Sequence, residues 1–312
     1  MKKLLMILAS LLAFSTQADP LFKRPVTIVT NASVGQGPDV VLRSLTSQLE
    51  KTWGQPVIIE NRPGAAGAIA LEHYVKEMPN DNILYFGDIS NFINMPFLFH
   101  KEALLDAVKP LTPVYSSPFI VIAPAGKSDL KEFEKNVRGK QFYGSWGVGS
   151  LAHLCGAEIA DKYGIPAAHA PYKDFGTWLN DVAQNNLSFS CSTIGSTQGL
   201  VKAGKLSYVA TTGSRRNPAY PDVPTVKEAF GVELAQPIGW SGIYVGKTMP
   251  RAKADQITRD VKAAIKTDSV QKTILALYGE NWDPTTQEFE RKFAQDRIKV
   301  KQAIEKFKIS ID

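Results

Sequence analysis

The chain is poor in the side chains that most often carry chemistry: 312 residues hold four histidines and two cysteines. His73, His100, His153 and His169 show no metal-ligand spacing with Cys155 and Cys191, so no metal centre is expected. No H-E-x-x-H and no G-x-S-x-G elbow is present, which leaves no recognisable metallo- or serine-hydrolase machinery. Excess charge is scarce as well. Lys+Arg number 36 against 30 Asp+Glu, a net +6 that falls to +4 once Lys2 and Lys3 are discounted. The basic residues are scattered among acids instead of gathering with aromatics on one face, which argues against nucleic acid as a partner. Long apolar runs are also missing. The only one is Leu4–Phe14, inside MKKLLMILASLLAFSTQA, and it is shorter than the ~20 residues of a membrane span. Two lysines, an apolar core and a small-residue end give the layout of a secretory signal peptide, residues 1–18, with cleavage expected after Ala18. Two readings of Cys155 and Cys191 remain open in an exported chain: two buried small hydrophobes, or one disulfide joining a helix and a strand of the same domain.

What is present alternates strand and helix, the pattern of a mainly parallel sheet covered by helices. Strands are expected at Val26–Thr30, VIIE, ILYFG, PFIVIAP, QFYGS, LSFSCS, SYVATTG and GIYVG. Helices are expected after NASVGQGPD, after NRPGAAG, at DLKEFEKN and through most of the chain beyond Arg251, with helical segments also between ILYFG and PFIVIAP. The C-terminal RKFAQDRIKVKQAIEKFK interleaves Lys and Glu and reads as a solvated helix face.

Several glycine-rich turns invite a phosphate-binding reading and fail it. AGKS at Ala125–Ser128 and VGKT at Val245–Thr248 have Val121 and Ser241 where a P-loop needs its first glycine. The stretch Gly147–Ala152 is formally G-x-G-x-x-A, yet His169 and Ala170 stand at the end of the next strand, about 20 residues on, where the dinucleotide fingerprint needs an acid, and none comes there before Asp174. The property such turns share is more general. A helix start leaves backbone N–H groups unpaired and carries partial positive charge, and glycine lets an anion approach them. Two such starts stand out, at Gly35-Gln36-Gly37 and at Gly147-Val148-Gly149-Ser150. If they face one another, they can grip a carboxylate from two sides.

Taken together, the G-x-G-x-D start at Gly35–Asp39, then WGQPVIIENRPGAAGAIA, YGSWGVGSLAHL, HAPYK, KAGKL and YPDVPTVKEAF, in that order, resemble one family. It is that of the periplasmic solute-binding proteins of tripartite tricarboxylate transporters, also called Bug proteins. The resemblance runs from about Pro25 to Ile311. It implies an α/β, type II periplasmic-binding-protein fold: two α/β domains joined by two crossover strands, with a ligand cleft between them. Domain 1 would comprise residues 19–119 plus 238–312 and domain 2 residues 120–237, with crossovers near PFIVIAP and WSGIYVG.

The resemblance further implies a non-catalytic, monomeric receptor without a cofactor. It would capture a di- or tricarboxylate or an aromatic carboxylate by closure of the cleft and pass it to membrane permease subunits or a sensor protein. An exported hydrolase with a histidine base in the same cleft is the alternative. By the resemblance, Ser33, Val34, Gly35, Gln36, Gly37 and Asp39 form one ligand loop and Gly147, Val148, Gly149 and Ser150 another, with Asp88 and Ser90 reaching the cleft. Trp146, Trp240 and Tyr172, the last next to Lys173, would wall it, and His153 and His169 are either contacts or structural. Where many members have Asp-Asn, this chain has Ser192-Thr193, also matched to the site; the lost acid removes a partner for a ligand ammonium, which Asp88 would restore elsewhere.

Overall fold

The computed structural model describes residues 20–64, 67–140, 142–164, 167–172 and 174–311. The leader, residues 1–18, and Lys173 lie outside them. Two five-stranded sheets form. The first runs β2 (Val57–Asn61), β1 (Val26–Thr30), β3 (Ile83–Asp88), β10 (Ile238–Gly246), β4 (Val108–Pro118). The second runs β7 (Ala168–Pro171), β6 (Phe142–Ser145), β8 (Phe189–Ser192), β5 (Ile120–Pro124), β9 (Leu206–Thr211). The two orders are one pattern used twice. In each, three parallel strands are followed by one antiparallel strand, β10 or β5, and that strand is supplied by the chain arriving from the other sheet.

Helices cover both faces of each sheet, so the inner strands are apolar on both sides. On one face of the first sheet, Val41, Leu45, Ile257, Val261 and Val270 of α1 (Gly37–Trp53), α9 (Arg251–Ile265) and α10 (Asp268–Ala276) bury Ile28, Leu84 and Phe86. On the other, Leu71 and Tyr74 of α2 (Ala68–Glu77) and Phe289, Phe293 and Val300 of α11 (Thr286–Lys306) pack on Val29, Tyr85 and Tyr244. In the second sheet β5 divides its side chains by the period of two. Val121 and Ala123 meet α4 (Leu130–Gly139), α5 (Leu151–Lys162) and α8 (Val226–Phe230), while Ile120 and Ile122 meet α6 (Phe175–Ala183) and α7 (Ile194–Lys202). Cys155 of α5 and Cys191 of β8 are joined as a disulfide, which resolves the open reading of the pair. Among the described residues no helix is long and apolar enough to cross a membrane.

One segment departs from expectation. VKPLTPVYSSP, in the stretch read as helical, is the eleven-residue strand β4. Its prolines are tolerated because β4 is an edge strand whose ladder is with β10, with a bridge from Ser116 to Glu280 on its outer side, and a missing N–H costs little there. Ala168–Pro171 likewise forms a short strand, β7, that the periodicity did not show.

The sheets are joined twice. β4 passes into β5 through a single residue, Phe119, and the chain returns through Pro237 into β10. Thr212 clasps the two crossings. Its Oγ1 accepts from the Phe119 N–H at 2.7 Å and donates to the Pro237 carbonyl, and its own N–H reaches the Phe119 carbonyl at 2.9 Å. Thr212 is buried, so a Thr212→Val variant strands a donor and an acceptor at once. The expected loss is about 1–3 kcal/mol, read as a lower urea midpoint, with Thr212→Ser retaining most of the stability.

Candidate functional site

In an open α/β sheet a ligand site lies beyond the carboxyl ends of the strands, where neighbouring connections leave in opposite directions. In the first sheet that point falls between β1 and β3, which places the loop Ser33–Gly37 beside Asp88 and Ser90. In the second it falls between β6 and β8, which places Trp146–Ser150 beside Ser192 and Thr193. Topology alone therefore gathers most of the residues singled out from the sequence into two pairs of loops.

The first loop is held from within. Asp39 is fully buried, and its carboxylate accepts from the Gly35 N–H at 2.8 Å, from Arg43 at 2.8 and 3.1 Å, and from Asn61 at 2.9 Å. Burial alone would raise this carboxyl. The hydrogen bonds from Arg43, Gly35 and Asn61 outweigh it and hold the pKa below the ordinary aspartate value. Gln36 folds back so that its Oε1 accepts from the Ser33 N–H at 3.2 Å, while Val34 points into solvent. α1 then begins with Pro38 in its first turn and no side-chain cap. The Gly35 amide is thus spent on Asp39, and the amides open to a guest are those of the helical turn behind it.

The second loop rests on a pair of stacked imidazoles. The rings of His153 and His169 lie 3.5 Å apart at 10°. The Gly149 N–H donates to His153 Nδ1 at 3.0 Å, so the His153 proton sits on Nε2. Ser145 Oγ donates to the Gly147 carbonyl at 2.8 Å, and having one proton it can only accept from His169 Nε2, 2.6 Å away. The same hydroxyl accepts the Gly147 N–H at 3.1 Å, and Ser150 caps α5 by accepting from the His153 N–H at 3.2 Å. Ser145 is fully buried, and this serine–histidine contact builds the loop.

The two pairs of loops face each other. Asn94, in the π-helical turn Ser90–Asn94 that follows Asp88, donates to the Gly149 carbonyl at 2.6 Å. Leu98 of α3 (Met95–Leu98) lies so close that a Cβ at Gly149, whose φ is +71°, would fall 1.8 Å from its Cδ1. On the other side, Leu277 spans the gap between the starts of α1 and α7. Its Cδ1 would lie 3.7 Å from a Cβ at Gly37, and its carbonyl oxygen 3.4 Å from one at Gly195. Tyr278 donates to Gln198 of α7 at 2.9 Å. Trp146 stacks on Phe119, 5.7 Å between centroids, and so stands at the crossover side of the space.

A family model described as the tripartite tricarboxylate transporter family receptor matches residues 41–309. The chain belongs to that family. A UPF0065 protein of Bordetella pertussis is 25% identical over 296 residues, 92% of this chain and 90% of that protein. MatC from Rhodopseudomonas palustris, solved with bound malate, is 22% identical with a TM-score of 0.76, over 90% of this chain and 99% of its own. R. palustris Rpa4515, solved with adipate, is 19% identical with a TM-score of 0.81, over 92% and 98%. With the strand order repeated in both sheets, these likenesses give the receptor the type II periplasmic-binding-protein fold, two α/β domains with a cleft between them.

Several residues matched to the family are engaged within the protein itself. Trp240 is buried in the core with its Nε1 donating to Asp296 at 3.1 Å. The Tyr172 hydroxyl is committed to Asp181 at 2.6 Å. Ser192 is buried, and Thr193 starts α7 with its Oγ1 2.8 Å from Ser196 Oγ. Asn94, Leu277 and Thr212, which tie the domains together, carry no motif in sequence and were not anticipated; their roles exist only once distant segments meet.

Burial holds both imidazoles neutral, His153 to about 3, with the neighbouring His169 adding to the effect, and His169 to about 4. The unfolded chain takes up protons near pH 6.5 while the folded chain does not. Stability is therefore full above about pH 6.5 and is lost as pH falls from there toward about 4. Urea unfolding at pH 5 is expected to show a loss on the order of 2 kcal/mol relative to pH 7, and His169→Gln should flatten that dependence.

Proposed function

We propose that this receptor works in the periplasm, does no chemistry, and captures a small organic anion, a di- or tricarboxylate or an aromatic carboxylate. Its domains would be residues 19–119 plus 238–312 and residues 120–237, turning on the strands that Thr212 clasps. The observation that carries the reading is the opposition of the two strand-end sites, with α1 and α7 both starting there without side-chain caps. Helix starts hold anions through backbone N–H groups and the helix dipole without needing a lysine or arginine. The malate and adipate in two proteins of the same fold agree in chemistry. A ligand touching both domains only when they close shifts the open–closed balance by its differential affinity. The closed form is the one presented to the membrane permease subunits of a tripartite tricarboxylate transporter.

Asn94 and Gly149 supply the hydrogen bond between domains that closure would use, and Asn94 is buried. A panel of di-, tri- and aromatic carboxylates is expected to contain one that raises the melting temperature by mass action and is recovered unchanged. Asn94→Ala should weaken that ligand about tenfold, roughly 1.4 kcal/mol, in a protein that still melts cooperatively. Conversion of the ligand to product, or no shift by any carboxylate, would sink the proposal.

A further inference from the structure

α10 ends in a way its sequence does not favour. The Tyr278 N–H returns to the Leu275 carbonyl at 2.9 Å and the Gly279 N–H to the Ile274 carbonyl at 2.9 Å, the paired bonds that close a helix C-terminus. That closure needs a residue in the left-handed region, most often glycine, and here Tyr278 takes the place at a φ of +57°. A bulky side chain holds this conformation only at a cost that its surroundings must offset. What the ring of Tyr278 reaches is the second domain.

Its hydroxyl donates to Gln198 Oε1 of α7 at 2.9 Å, and its ring lies 6.1 Å from that of Tyr220, which meets Tyr208 edge-on at 4.9 Å. Tyr278 thereby packs on the apolar cluster that holds Ile120, Ile122 and Ile194 on one face of the second sheet. Two residues further on, the chain is rooted in the first domain. The Glu280 N–H donates to the Ser116 carbonyl at 2.7 Å, and the Glu280 carbonyl accepts from the Ser116 N–H at 3.0 Å. Arg215 also faces Glu280 across the gap, but at 3.9 Å and largely in solvent such a pair contributes little. Leu277, next to the tyrosine, lies against the starts of α1 and α7. Backbone bonds thus root segment 277–280 in one domain, and the Tyr278 side chain clips it to the other.

We infer that segment 277–280 is a latch on the cleft: the Tyr278 ring holds the second domain against the first when no ligand is bound, and must leave Tyr220 and Gln198 before the starts of α1 and α7 are uncovered. The inference rests on the receptor reading above and adds how entry to its site is controlled. Release breaks no strand pairing, since one hydroxyl bond and one ring contact carry the grip.

The test is double electron–electron resonance between nitroxide labels at Lys272→Cys on α10 and Lys205→Cys beyond α7, both exposed positions, with the native disulfide left oxidised. The protein is dialysed through urea beforehand to strip any carried acid. The label pair is measured with Tyr278 intact and in Tyr278→Gly, since glycine is at ease at φ +57° and only the ring is lost. Gln198→Ala, which leaves the segment untouched, decides the matter should Tyr278→Gly not fold. The supporting result is one short distance with Tyr278 intact and a shift of several ångströms toward longer distances in the variant. A distance unmoved in the variant, or already as long with Tyr278 intact, overturns the latch. A fall in the urea midpoint without that movement does the same, because Tyr278 is then a packing residue. Titrating the carboxylate panel into the labelled protein separates the latch from the receptor reading. A distance that changes with one of those acids but not with the variant discards the latch and keeps closure, and no movement under any condition overturns both.

Discussion

The first sheet of this protein cannot be completed by one continuous stretch of chain. β10 must return from the second domain to fill the place between β3 and β4, while β5, the first strand after the outward crossing, lies between β8 and β9. The two crossings are therefore part of both hydrogen-bond networks, and Thr212 is where they touch. Any rotation between the domains would have to be absorbed within a few residues around Phe119 and Pro237, because the strands on either side are locked in ladders. The same arrangement defers the first sheet until late in folding, since β10 pairs with β3 across some 150 residues, a non-local contact of the kind that slows folding.

Around the cleft the protein spends most of its polar groups on itself. Gly35, Gly147 and Gly149 all give their amides to internal acceptors, Asp39, Ser145 and His153. The glycines thus shape the turns, and the helical amides behind them remain for a guest. Uncharged imidazoles suit this arrangement: a protonated His153 could no longer accept from Gly149, and two stacked imidazolium rings would repel.

Much of the fold was legible because hydrophobic period and glycine-rich turns report local structure faithfully. Val26–Thr30, the α1 stripe and the turns at Gly35 and Gly147 are of that kind. β4 was not legible, because three prolines in eleven residues argue against a strand unless it is known to lie at an edge, and edge position is a property of the assembled sheet. The loops at the strand ends were legible as places, since topology puts strand ends together. The partners of their side chains were not, since Asp39–Arg43 and Ser145–His169 become distinguishable from ligand contacts only when burial and donor geometry are known.

The disulfide has a consequence beyond stiffness. It fastens α5, whose start carries the second glycine turn, to β8, whose end carries Ser192 and Thr193, so two walls of the cleft share one covalent staple. Thiols stay reduced in the cytosol and pair in oxidising compartments. A chain kept in a reducing compartment would lack that staple and hold its second domain more loosely. The two walls of the cleft would then be joined only where thiols oxidise.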